Sequence, residues 1–192
     1  MIKSRKAVIA GLIMVLAVLV FFFIRGIAPE RLTKAQETTE TADLTGPPTS
    51  ETKTVTLFFV REDNGLLARE ERTIPVSGSV SRDGEAILNE LIKGSANGLA
   101  SALPPETKVL QVFVTKDGTA YADFSKDLVT AHPSGSDAEA DTVYAIVNTL
   151  AANFPSVKKV MILVDGEERE TLNGHLTLDR AFFPNYSRVA KD

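Results

Sequence analysis

The chain predicts an α+β fold: a single small domain with a mostly antiparallel sheet and two helices on one face, behind an N-terminal transmembrane helix and a disordered stalk. Strand-like runs come in pairs around turn signals, single helical runs separate the pairs, and one long uncharged run stands alone at the start. Hairpins alternating with helices suit an antiparallel sheet covered on one side.

The opening run, Ala7–Ile24, holds 18 residues without a charge, with Lys3, Arg5 and Lys6 before it and Arg25 after it. At about 1.5 Å per residue such a helix is roughly 27 Å long, close to the hydrocarbon thickness of a bilayer, ~30 Å. Residues 1–25 therefore read as a signal-anchor helix in the inner (cytoplasmic) membrane, single-pass through residues 7–24. The positive-inside bias sends the C-terminal bulk to the extracytoplasmic, periplasmic side. The rival reading is a cleaved signal peptide, with Gly26-Ile27-Ala28 as the small-residue site and Pro29 set against it. The chain has no cysteine, which removes lipid attachment at a thiol, disulfides, thiolate catalysis and sulfur-bound zinc.

Residues 26–53 are rich in Thr, Glu and Pro, including Gly46-Pro47-Pro48-Thr49, and hold almost no large apolar side chain. Such a stretch cannot offset its ordering entropy by burial and reads as a disordered linker. Residues 54–192 remain for one domain of ordinary size. That domain carries 14 basic and 20 acidic residues, and an acidic domain without a basic stripe argues against nucleic acid as a partner.

Thr54–Val60 is β-branched and aromatic, Arg61–Gly65 supplies turn chemistry, and Leu67–Val76 carries Arg69, Glu71 and Thr73 in alternation with other residues, an opening hairpin with a polar outer strand. Ser81 or Asp83 caps a helix over Gly84–Lys93 whose face is Ile87, Leu88, Leu91 and Ile92, with Gly94 as its stop. Leu99–Glu106 is an extended apolar linker, because its prolines exclude helix.

Lys108–Thr115 reads as a strand placing Leu110, Val112 and Val114 on one face, and Asp117-Gly118 turns it into Thr119–Phe124, with Ala120, Ala122 and Phe124 inward. Asp137–Phe154 is the longest helical run: Val143, Ile146, Val147, Leu150 and Phe154 form its stripe, and Pro155 ends it. Lys158–Val164 is an apolar strand, Asp165-Gly166 a turn and Glu168–Leu172 a short return strand.

The stretch Gly98–Leu128 reads GLASALPPETKVLQVFVTKDGTAYADFSKDL and resembles the sporulation/spore germination domain family, GerMN. The features that carry the likeness are Ser101–Thr107, Asp117-Gly118 and Asp123-Phe124-Ser125, then Phe154-Pro155-Ser156-Val157, Asp165-Gly166 and Gly174-His175. Glu106 stands where the family pattern leads one to expect glycine. The resemblance implies a membrane-tethered extracytoplasmic domain of small α/β build, similar to ring-building modules of spore envelopes. It carries no catalytic residues over.

Asp123 and Asp127 are the pair that a hydrolase of the envelope (peptidoglycan-related) would use as general acid and base, with His132 or His175 beside them. The bland alternative leaves Asp123 at a strand end and Ser125 capping a turn that contains Asp127. Asp137, Glu139 and Asp141 alternate as calcium ligands do, without the glycine or distal glutamate of a calcium loop, and carboxylates already suit a helix N-terminus. No phosphate loop, metal spacing or serine elbow is present, so no cofactor and no catalysis are expected. Leu99, Leu103, Pro104 and Pro105 are the candidate interface. The expected role is a tethered binding or scaffold domain of the cell envelope, assisting a sporulation or germination complex through an envelope protein partner or self-association.

Overall fold

A computed structural model of the chain describes residues 51–191. The expected anchor helix, residues 1–25, and residues 26–50 of the expected linker lie outside the described residues. Among the described residues no helix is long and apolar enough to cross a membrane.

Strand β1, Thr52–Val60, pairs antiparallel along its whole length with β2, Leu67–Pro75. It begins two residues before the expected Thr54, because Thr52 and Lys53 continue the ladder opposite Pro75 and Ile74. Helix α1, Val80–Ile92, follows and starts ahead of the expected Gly84, with Ser79 as N-cap residue. Asp83 is not the cap. Its carboxylate reaches back to accept the Ser77 N–H at 2.7 Å, the Ser77 hydroxyl at 2.8 Å and the Gly78 N–H at 3.1 Å, which fixes the turn before the helix. Ser81 lies inside the helix.

The second sheet has the order β3 (Val109–Val114), β4 (Thr119–Phe124), β5 (Lys159–Val164) and β6 (Glu167–Glu168). Two sheets therefore replace the single expected one, and the central β4–β5 pair is parallel, not antiparallel. The reason lies in the connection. A short helix α2, Asp127–Thr130, and the long α3, Ser136–Asn153, carry the chain back to the end where β4 began, the crossover that parallel strands require. The β3–β4 turn is tight: Gly118 has φ +87°, and a Cβ there would sit 2.8 Å from the Ser156 carbonyl oxygen. Asp165 and Gly166 both take positive φ, +52° and +78°, as a two-residue hairpin turn demands. The return strand is shorter than the expected Glu168–Leu172, because the chain leaves β5 after Glu168 and makes a local bridge, Thr171 to Thr177.

The core is formed by Ile87, Leu88 and Leu91 of α1, by Val143, Ile146, Val147 and Leu150 of α3, and by Ala120, Ala122, Phe124, Val160, Ile162 and Val164 of the sheet. Leu110 breaks the expected β3 stripe and is 48% exposed. Val109 opposes Phe124 and Gln111 opposes Asp123, so Leu110 is the extra residue of a bulge and the inward phase passes to Val112. Gly84 allows α1 to lie close on β3, since a Cβ there would meet Val112 Cγ1 at 2.8 Å. The C-terminal segment completes the domain: Phe182 bridges Val160, Val189 bridges Leu67, and Leu172 and Leu178 are buried.

Candidate functional site

Both histidines of the chain are engaged by side chains along the first half of α3. Glu139 is fully buried, and its carboxylate accepts the Leu176 N–H at 2.7 Å, the His175 N–H at 3.2 Å and a bond from His175 Nδ1 at 2.8 Å. Burial pushes this carboxyl up, but the Leu176 N–H and the His175 ring together outweigh it and hold the group below its ordinary value. One helical turn on, Thr142 donates to the Ala102 carbonyl and meets His132 Nε2 at 2.7 Å, while His132 Nδ1 lies 2.7 Å from the Pro133 carbonyl. Asn173 Nδ2 donates to the His132 carbonyl at 3.3 Å. His132 is thus a buried linker and not part of an open loop. The cluster binds three backbone segments to one helix. The Glu139 carboxylate holds the His175–Leu176 backbone against α3 through bonds from both residues.

The residues expected to do chemistry are kept apart. Asp123 Oδ1 accepts the Gly166 N–H at 2.9 Å, which ties β4 to the β5–β6 turn. Asp127 accepts from the Ser125 hydroxyl at 3.0 Å, and Ser125 in turn accepts the Lys108 N–H, so this serine links back to β3 and does not cap the turn after it. Among the described residues, no hydrogen bond or ion pair joins Asp123 or Asp127 to a histidine. Asp137 is exposed, Glu139 faces His175, and Asp141 pairs with Arg188 at 2.7 Å. Among the described residues, no three His, Asp or Glu side chains are placed to hold a metal ion.

The four residues of the expected interface lie in different surroundings. Leu103 and Pro104 are buried, Leu99 is half-buried against the core, and Pro105 alone of the four is exposed. The run closes the core between α1 and β3: Ala100 pairs with Val60, and Ala102 accepts from Thr142. Large exposed apolar side chains occur in the C-terminal segment, at Phe183 and Tyr186, and on the face of the four-stranded sheet away from the helices. Phe113 and Tyr121, opposite each other on β3 and β4, stack with centroids 4.7 Å apart and planes at 5°. Phe113 is 36% exposed, and Leu110 stands out beside it on the bulge. The signal was present in β3, which carries large apolar residues in both phases, Val112 inward and Phe113 outward. An inward-only reading of the strand misses it.

A second buried charge was also missed. Glu70 on β2 is 3% exposed and accepts from Arg72 at 2.5 Å, the Ser95 hydroxyl at 2.6 Å and the Ala96 N–H at 3.1 Å. Arg72 also donates to the Glu90 carboxylate and the Gly94 carbonyl, so the pair fastens the C-terminal end of α1 to β2. Burial works against the Glu70 charge, but the Ser95, Ala96 and Arg72 donors leave its carboxyl below the ordinary value.

The fold has counterparts among solved structures. The chain is similar to the tandem GerMN domains of the sporulation protein GerM from Bacillus subtilis, with 26% identity, a TM-score of 0.55 and 68% of this chain covered. It spans about half of that protein, 46%. The first GerMN domain of the same protein, taken alone, matches with 26% identity and a TM-score of 0.51, covering 66% of this chain and 92% of that one. A candidate lipoprotein from Clostridium perfringens shares 26% identity over 76% of this chain and 93% of its own, with a TM-score of 0.49. The comparison with curated proteins finds no match. The family model Germane, described as sporulation and spore germination, matches residues 56–170, more than half of the sequence, and the chain belongs to that family.

Proposed function

We propose that this chain is a non-catalytic binding domain of the cell envelope, held on the outer side of the inner membrane by residues 7–24 and assisting a sporulation or germination complex. The observation that carries it is the outward face of the four-stranded sheet. The stacked Phe113–Tyr121 pair and Leu110 present apolar surface to solvent there, and contiguous patches of that kind mark protein contacts. The partner is an envelope protein. Support for the setting comes from the family and from the uncharged run at Ala7–Ile24.

The test is a photo-crosslinker placed at Leu110 or Phe113 of the full chain in living cells, with a second set at exposed Glu106 and Asp137. Specific adducts from the sheet face alone are expected. Adducts only from the second set, or turnover of cell-wall glycan or peptide by the purified chain that is lost in Asp123→Asn, would overturn the reading.

Self-association is a second reading, favoured by the tandem arrangement in the related GerM structure. Two copies of this domain would supply what that protein holds in tandem. Sedimentation should then depend on concentration, and a monomer at every concentration removes it.

A further inference from the structure

The chain holds three Asn-Gly pairs: Asn64-Gly65, Asn97-Gly98 and Asn173-Gly174. In such a pair the glycine nitrogen can approach the asparagine Cγ without hindrance from a side chain. The fold treats the three differently. Gly65 N–H donates to the Arg61 carbonyl at 2.8 Å, and Asn64 Oδ1 accepts from Leu66 N–H at 3.0 Å. Gly174 N–H donates to Thr171 Oγ1 at 3.2 Å, and Asn173 Nδ2 is engaged with the His132 carbonyl. At Asn97-Gly98 the only bond from these groups is that of the Asn97 backbone N–H to Ser95 Oγ at 2.9 Å. Among the described residues, neither the Gly98 N–H nor the Asn97 side-chain amide has a partner, and both residues are exposed.

We infer that Asn97 is a self-modification site, at which the chain deamidates through a succinimide formed with Gly98. The Gly98 nitrogen gives up its proton to solvent base and bonds to Asn97 Cγ. The Cγ–Nδ2 bond breaks, and ammonia leaves with a proton taken from water. Water then opens the ring at either carbonyl and leaves aspartate or isoaspartate. No electrons are exchanged with another reagent. The new carboxylate lies in the surface depression that Asn97 shares with Arg61, Asp63 and Arg69. Isoaspartate also adds a methylene between Ser95 and Leu99, whose N–H bonds to Ser95 Oγ at 3.1 Å, and so strains the approach to the Val60–Ala100 bridge.

The test is peptide mass spectrometry of the full chain aged in mildly alkaline buffer, with isoaspartate distinguished from aspartate. A parallel sample is aged in denaturant. Releasing one or two hydrogen bonds before attack slows the held sites, so Asn97 should convert roughly tenfold faster than Asn64 or Asn173 in the folded chain. The three rates should converge in denaturant, and the fast species should vanish in Asn97→Gln. Equal or slower conversion at Asn97 in the folded chain would overturn the inference, as would the same ranking in denaturant.

Discussion

Both α1 and α3 turn an apolar stripe inward, yet they bury different chemistry. The buried set of α1 is Ile87, Leu88, Leu91 and Ile92, with Asp83 and Gly84 in its first turns. That of α3 contains Val143, Ile146, Val147 and Leu150, but also Glu139, Thr142, Asn148, Thr149 and Asn153. Each polar member of α3 meets backbone that has no strand partner at that point. Asn153 accepts the Thr56 N–H at 3.0 Å and donates to the Thr56 carbonyl at 2.7 Å, as a neighbouring strand would. Thr149 accepts the Phe58 N–H, and Asn148 makes the same two-way pairing with Asn185. A buried polar group is costly unless it is bonded, so α3 carries polar residues only where they complete a ladder or hold a loop. Both helices pack and connect, but α1 connects through Asp83, Glu85 and Glu90, whereas α3 does so through a run of buried polar side chains.

The largest test of that difference is Glu139→Ala, which takes the acceptor from the His175 and Leu176 N–H groups. Loss of a charged acceptor from several donors should cost about 3 kcal/mol. Leu88→Ala on α1 should cost a similar amount, about 3 kcal/mol, by leaving a cavity. The two losses differ in pH dependence. The folded Glu139 carboxyl lies below its ordinary value of 4.5, so its contribution is complete above that value and is lost as pH falls through the lower folded one. Urea midpoints followed from neutral to acid pH should therefore show a smaller acid-side loss in Glu139→Ala than in Leu88→Ala. Parallel curves would mean that Glu139 is not the connector described here.

Asn153→Ala comes next, at about 2 kcal/mol, because it uncovers both backbone groups of Thr56 on the β1 edge. Hydrogen exchange is the sharper measurement: the Thr56 amide should lose protection while the Leu57 amide, in the β1–β2 ladder, keeps most of it. Equal loss at both would show general fraying of the hairpin and not the removal of an edge partner.

What could be read from the sequence follows the same division. Periodicity exposed the inward apolar stripes of α1, α3 and β4, because those depend on one residue type at one spacing. It could not expose the long-range connectors. Asn153 and Thr56 are far apart in sequence, and nothing local says that an asparagine at a helix end stands in for a strand. The parallel β4–β5 pair was hidden for a related reason: the crossover was visible as a helix, but strand direction depends on where that helix returns the chain. The candidate interface was read from an apolar run without regard to side-chain phase. Leu103 and Pro104 are apolar because they close the core, whereas the surface-facing residues of β3 lay within a run read for its inward phase alone.

A smaller effect tests how α1 packs. Gly84→Ala should gain helix propensity yet lose about 1 kcal/mol net, because the new Cβ would meet Val112 Cγ1 at 2.8 Å. Val112→Ala opens that space, so Gly84→Ala made in its background should be neutral or stabilising. A double-mutant cycle with no coupling would show that α1 does not rest on β3 through this glycine.

The smallest expected stability effect is the one that bears most on function. Leu110 is nearly half exposed and sits at the bulge, outside both the α1 contact and the α3 network. Leu110→Ser should therefore change stability by about 0.5 kcal/mol or less, as surface substitutions do. If the outer sheet face holds a partner, the same substitution should sharply reduce crosslinking from Phe113, which lies on that face. Core truncations of equal or greater stability cost, such as Leu88→Ala, should lower crosslinking only in proportion to the folded protein that remains. Connectors on α3 and contact residues on β3 then separate on two axes: the former move stability with little direct effect on capture, and the latter move capture with little effect on stability. Leu110→Ser leaving both measurements unchanged would take the bulge out of the contact surface and confine it to the Phe113–Tyr121 stack.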